Sequence, residues 1–131
     1  MKTITLGLAL LVLSGAATAG NRNTQYEVTI TNITRGQTFT PQLVVTHSPG
    51  VRLFSLGEPA SEQLSVLAED GNTGPLTAAL NSAGYAVGQA VTIPGLLAAG
   101  ASARVTVEAG RGQDFLSVAA MLIPTNDTFV A

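Results

Sequence analysis

The sequence predicts a mainly β fold: an antiparallel β-sandwich with a short helical insertion, cut short at its C-terminus. Three observations carry this. Several stretches alternate apolar and polar residues with period two and are rich in β-branched side chains. Glycine-bearing turns separate them, with 14 glycines and 6 prolines in 131 residues. One segment in the middle switches to helical spacing.

The first nineteen residues read as an address. Lys2 precedes an apolar run from Leu6 to Leu13, which loosens into Ser14-Gly-Ala-Ala-Thr-Ala19 and offers an Ala17-x-Ala19 cleavage site before Gly20. A charged n-region, a short h-region and small residues at the end make a secretory signal, whereas a membrane span needs about 20 apolar residues. The expected location is therefore exported, periplasmic or extracellular, with no transmembrane segment once the signal is removed. The only lysine leaves with it, so five arginines (Arg22, Arg35, Arg52, Arg104, Arg111) face eight acids, a difference of −3. No basic patch for nucleic acid results.

After a polar lead-in over residues 20–25, Tyr26 to Ile33 alternates, with Tyr26, Val28 and Ile30 on one face and Glu27, Thr29 and Thr31 on the other. Arg35-Gly-Gln37 turns the chain, and Leu43-Val-Val-Thr-His47 forms a second strand stopped by Ser48-Pro-Gly50. Val51 to Leu56 reads as a third extended piece. Ser61 is placed to cap a helix carrying Leu64, Leu67 and Ala68, with Glu62 in its first turn and Gly71 closing it. A second short helical stretch covers Leu76 to Leu80. Gly84, Gly95 and Gly100 mark turns, Ala103 to Glu108 is a strand with Val105 and Val107 on one face, and Phe115 to Ile123 is a long strand expected to be buried on both faces.

Composition closes most catalytic options. Without cysteine there are no disulfides, thiolate metal sites or cysteine nucleophiles. His47, the single histidine, cannot build a multi-histidine zinc site. No serine sits in a Gly-x-Ser-x-Gly elbow, and neighbouring His47 and Ser48 point to opposite faces of a strand. His47 is expected to hydrogen-bond locally at a strand end. Counted from Asp70, the acidic Glu69–Gly74 stretch has Pro75 and Asn81 where an EF-hand has glycine and glutamate, so it reads as a solvated turn. Gly110-Arg-Gly-Gln113 lacks the lysine of a phosphate loop. Asn32-Ile-Thr34 and Asn126-Asp-Thr128 fit the glycosylation sequon.

Two blocks go beyond strand grammar. The first runs Phe39-Thr-Pro41, Thr46-His-Ser48, Phe54-x-x-Gly57-x-x-Ala60-Ser61, Leu67-Ala-Glu-Asp-Gly71 and Leu76. The second runs Leu116-Ser117-x-Ala119-x-Met121-Leu-Ile-Pro124-Thr-Asn-Asp127-Thr-Phe129-Val130. From Tyr26 to Ala131 the chain resembles the spondin N-terminal domain family, and in particular its stand-alone exported bacterial members. The resemblance implies a β-sandwich akin to calcium-dependent membrane-binding sandwiches, and a non-enzymatic part in extracellular adhesion through a cell-surface or extracellular ligand. It also implies a calcium site. The ligand aspartate of the family's Pro-Ser-Pro-Asp motif falls on Asp127; the later aspartate segment has no counterpart. Calcium takes six to eight oxygens, so one carboxylate predicts weak binding. The apolar ending Phe129-Val-Ala131 and that missing segment together predict a piece of a longer domain, with an unpaired strand edge and a tendency to aggregate. The alternative reading is an exported enzyme that works through its acidic residues, for which a pocket joining His47 to Glu69 or Asp70 would be the sign.

Overall fold

A computed structural model of the chain describes residues 23–131. The secretory segment read over residues 1–19 lies outside the described residues, as does the start of the lead-in. In chain order the elements are β1 (Thr24–Thr31), β2 (Thr38–Phe39), β3 (Gln42–His47), α1 (Glu62–Asp70), α2 (Gly74–Asn81), β4 (Val87–Ile93), β5 (Ser102–Ala109), β6 (Phe115–Ile123) and β7 (Phe129–Val130). A 3-10 turn over Gly84–Ala86 precedes β4.

All pairings are antiparallel. β6 pairs β2, β3 and β7, and β3 also pairs β4; β1 and β5 form a separate two-stranded ribbon. Alternation along β3 and β6 splits the core in two. Leu43, Val45 and Ala119 face the helices and meet Leu64, Leu67, Leu76 and Leu80. Ala120 and Leu122 face the other way and meet Phe39, Leu97, Ile30 and Ala103. The molecule is thus a β-sandwich whose larger sheet carries two short helices on one face and the β1–β5 ribbon on the other.

Helix α1 follows from its sequence in detail. The Ser61 hydroxyl accepts from the Leu64 N–H at 3.2 Å, and Gly71 closes the helix at φ 67°, its N–H bonding the Leu67 carbonyl. Leu64 and Leu67 are fully buried, which supplies the apolar stripe that a short helix needs. Helix α2 starts at Gly74-Pro75 and buries Leu76 and Leu80, as the second helical stretch anticipated.

Two expectations need correcting. Val51 to Leu56 is not a strand but part of an irregular loop between β3 and α1. Its apolar residues do different jobs: Leu53 plugs the helix-side core, whereas Leu56 is 91% exposed. Strand β6 is buried over Ala119–Met121 only; Phe115 and Leu116 at its start are 51% and 46% exposed.

Three strands carry no warning in the sequence. β2 and β7 have two residues each, too few for any period to show. β4 hides behind Gly88, which a turn would also favour. A Cβ there would sit 2.6 Å from the Thr46 hydroxyl and 3.0 Å from the Glu108 carbonyl. The glycine is needed because β3 and β5 both close on that point.

The two edges of the ribbon are finished differently. On β5, the Glu108 N–H donates to Gln89 Oε1 at 2.7 Å, and its carbonyl accepts from the Thr46 hydroxyl at 2.5 Å. Side chains of β3 and β4 therefore occupy that edge at Glu108. β1 pairs only β5 among the described residues.

Candidate functional site

The loop between β3 and α1 builds a broad concavity. Such a long irregular connection is the kind of element that carries function on a rigid scaffold. Its start is pinned by Ser48 N–H to the Ala86 carbonyl at 2.8 Å and Val51 N–H to the Ser48 carbonyl at 3.2 Å. Leu53 anchors the middle in the core. Phe54 stands edge-on against Phe129, ring centres 5.7 Å apart. The loop and the start of β6 enclose a cleft of about 660 Å³, lined by His47, Arg52, Phe54, Leu56, Phe115 and Ser117 among others.

His47 forms the floor. It is 4% exposed. Its Nδ1 lies 2.8 Å from the Ser48 carbonyl, which can only accept, so Nδ1 carries the hydrogen. In the neutral ring Nε2 then accepts from the Ser117 hydroxyl, also at 2.8 Å. The imidazole stacks on Phe115 at 5.9 Å and 23°. Both nitrogens are satisfied, and the pair fixes the aromatic wall of the cleft. The expected local bond of His47 is present; the Ser117 contact, 70 residues away, had no signal in the sequence.

At the rim, Phe54 is 39% exposed and Leu56 almost entirely so. Arg52 lies beside them, exposed, and the ion pair found among the described residues is a different one, Arg104 with Glu27 at 3.7 Å. The cleft thus offers apolar contact next to a free guanidinium, a setting suited to an apolar side chain with an acidic neighbour.

The acidic residues lie elsewhere. Glu69 and Asp70 are exposed at the end of α1 and do not line the His47 cleft. Asp127 is exposed in the loop between β6 and β7. That loop is tied by the Thr125 hydroxyl bonding the Leu122 carbonyl, and by Leu122 N–H to the Thr128 carbonyl at 2.8 Å. Among the described residues no group of three or more His, Asp or Glu side chains converges as a metal cage would. Asp127 alone does not amount to a calcium shell.

The two sequons differ. Asn126 is exposed, but Asn32 is fully buried, and its amide hydrogens go to the Gln37 carbonyl at 2.8 Å and the Leu97 carbonyl at 2.9 Å. In the folded chain Asn32 is a structural clasp with no free amide hydrogen.

One carboxylate is electrostatically distinct. Hydrogen bonds from Gln25 and then Asn23 hold Glu108 below the ordinary carboxylate value. A smaller groove of about 330 Å³ lies between the ribbon and the start of β6, lined by Tyr26, Val28, Phe115 and Leu116 among others.

The Spondin_N family model matches residues 18–131. The chain belongs to the spondin N-terminal family. The match covers the blocks around His47 and Asp127 on which the resemblance rested. In this spondin domain the first block therefore supplies the cleft floor and its loop, and the second supplies β6 with its Ser117 wall and Phe129. A comparison with curated proteins finds no match. Among the described residues no helix is long and apolar enough to cross a membrane.

Proposed function

We propose that this spondin-domain protein is an exported recognition module of the adhesive kind, binding an extracellular or cell-surface protein through the His47–Phe115 cleft and the loop above it. The observation that supports this most is the exposed Phe54–Leu56 rim beside Arg52, which has no ion-pair partner among the described residues, on a loop whose middle is anchored in the core by Leu53. Exposed aromatic and arginine side chains on a rigid base are what binding hot spots are made of. The acid-based enzyme reading has less support, since among the described residues no Asp or Glu side chain lines the cleft with His47.

The fitting ligand presents an apolar side chain flanked by a carboxylate. The test is retention of the purified chain, without residues 1–19, on surface and extracellular-matrix fractions of the source cells. A Phe54→Ser, Leu56→Ser double variant, folded by circular dichroism, is expected to lose at least ten-fold in retention, with Arg52→Gln losing less and becoming insensitive to salt. Equal retention of the wild type and the double variant would overturn the reading.

Calcium enters only as a weak contact at Asp127, outside the cleft, and no step of recognition depends on it. At calcium equal to its dissociation constant the stabilisation is about 0.4 kcal/mol. A thermal melt at millimolar calcium is expected to shift by a few degrees at most, and the shift is expected to vanish in Asp127→Ala. A larger shift that survives that substitution would place the ion elsewhere.

A further inference from the structure

We infer that a second copy of this chain pairs with the edge of β1 that stands open among the described residues, joining two β1–β5 ribbons into one four-stranded antiparallel sheet about a two-fold axis through Val28. Three features of the edge lead there.

The edge is ready to pair. β1 runs eight residues, Thr24–Thr31, in unbroken register with β5. It holds no proline, no lysine and no bulge, the usual devices that keep edges apart. The outer edge of β5, by contrast, is occupied at Glu108 by the side chains of Thr46 and Gln89.

Its hydrogen-bonding parity is defined. Asn32, just past the strand, turns both backbone groups toward the β5 side, accepting from Gly100 N–H at 2.7 Å and donating to the Ala101 carbonyl at 2.9 Å. Glu108, opposite Gln25, turns both of its groups away from β1. Antiparallel alternation then sends the N–H and C=O of Gln25, Glu27, Thr29 and Thr31 outward.

Charge and hydrophobicity select the register. Outward residues must face outward residues. Glu27, the single charge on β1, would meet its own image if the axis passed through it. Moving the axis to Val28 sets Glu27 against Thr29 of the second copy and uses every residue from Gln25 to Thr31. Tyr26 then lies opposite Ile30 of the second copy on the apolar face, covering a ring that is 51% exposed. A foreign strand could share the hydrogen bonds, but the strand's own sequence already meets all three conditions.

A seven-residue strand pair is small beside standard interfaces, so dissociation in the micromolar range is expected. The test is sedimentation equilibrium of the chain without residues 1–19, from low to high micromolar concentration, expected to fit a monomer–dimer equilibrium. Thr29→Pro removes an outward N–H that β5 does not use, so it keeps the fold, checked by circular dichroism, and is expected to abolish the dimer. Thr29→Lys sets a lysine against Glu27 twice and is expected to tighten the dimer about three- to ten-fold; Thr29→Glu sets two like pairs and is expected to weaken it by a similar factor. A monomer at every concentration, open-ended association, or a dimer indifferent to Thr29→Pro would overturn the proposal. A dimer lost in Thr29→Pro but equal in the lysine and glutamate variants would overturn the register.

Discussion

Replacing Asn32 by alanine removes four hydrogen bonds at one fully buried position. Its amide donates to Gln37 and Leu97, and its oxygen accepts from the Thr34 N–H at 3.0 Å and the Thr34 hydroxyl at 2.7 Å. The carbonyls are not fully orphaned: Leu97 also accepts from Phe39 N–H at 3.0 Å, and the Thr34 hydroxyl, released from Asn32, can turn its one hydrogen to the Gln37 carbonyl 3.0 Å away. At about 0.5–1.5 kcal/mol net per bond, with those second donors retained, the loss comes to about 2–4 kcal/mol. That is a large share of the ~5–15 kcal/mol typical of a domain. In urea the midpoint is expected to fall by about 1–2 M with an unchanged slope. Asn32→Asp sharpens the test: it keeps the acceptor but sets a carboxylate against two carbonyls in a buried site, so it is expected to be at least as damaging as alanine at neutral pH. A loss under about 1 kcal/mol for alanine, or an aspartate variant more stable than the alanine one, would refute the clasp.

Three further outcomes follow from the same structure. Gly71→Ala forces a left-handed residue (φ 67°) and sets its Cβ 2.7 Å from Thr40 Cγ2; thermal melts should show a cost above the ~1–2 kcal/mol of the backbone term alone, and clearly above that of Gly57→Ala, which has open space. Ser117→Ala leaves His47 Nε2 without its hydroxyl partner, and urea titration is expected to show a loss of about 1–2 kcal/mol; no loss would mean the pair does not hold the cleft wall. Glu108 has a lowered folded value, set by Gln25 and then Asn23, so its stabilising contribution is present above the ordinary value of 4.5 and lost as pH falls through the lower folded one. Stability measured through that acid window should fall less steeply in Glu108→Gln; an identical acid limb would count against the link.

What the sequence reveals depends on whether the signal is local. The cap of α1 was readable because Ser61, its leucines and Gly71 lie within eleven positions. β4 was not legible because the glycine that a crowded strand requires at position 88 is also what a turn would favour. Val51 to Leu56 looked like a strand because a core plug and an exposed rim happen to alternate. The inward face of β1 was assigned correctly, yet Tyr26 remains half in water, since cover depends on what lies beside the strand and not on the strand itself. The site divides the same way. His47 was visible as the lone histidine, whereas Ser117 and Phe115 reach it only through the β3–β6 register, where His47 lies opposite Phe115. Asp127 stood out only through the second block, and the lack of a counterpart to the family's later aspartate segment was readable in the same place.

The placement of the cleft relative to the ribbon has a mechanical consequence. The cleft opens on the helix-bearing face of the larger sheet, and β1 lies in the layer on the opposite face. Two molecules joined along β1 would leave both clefts free and facing separate patches of a surface. Once one is held, the second samples a high local concentration of sites, so the pair releases far more slowly than either half alone. Weak individual grips, each built from a few exposed side chains, then suffice for lasting attachment.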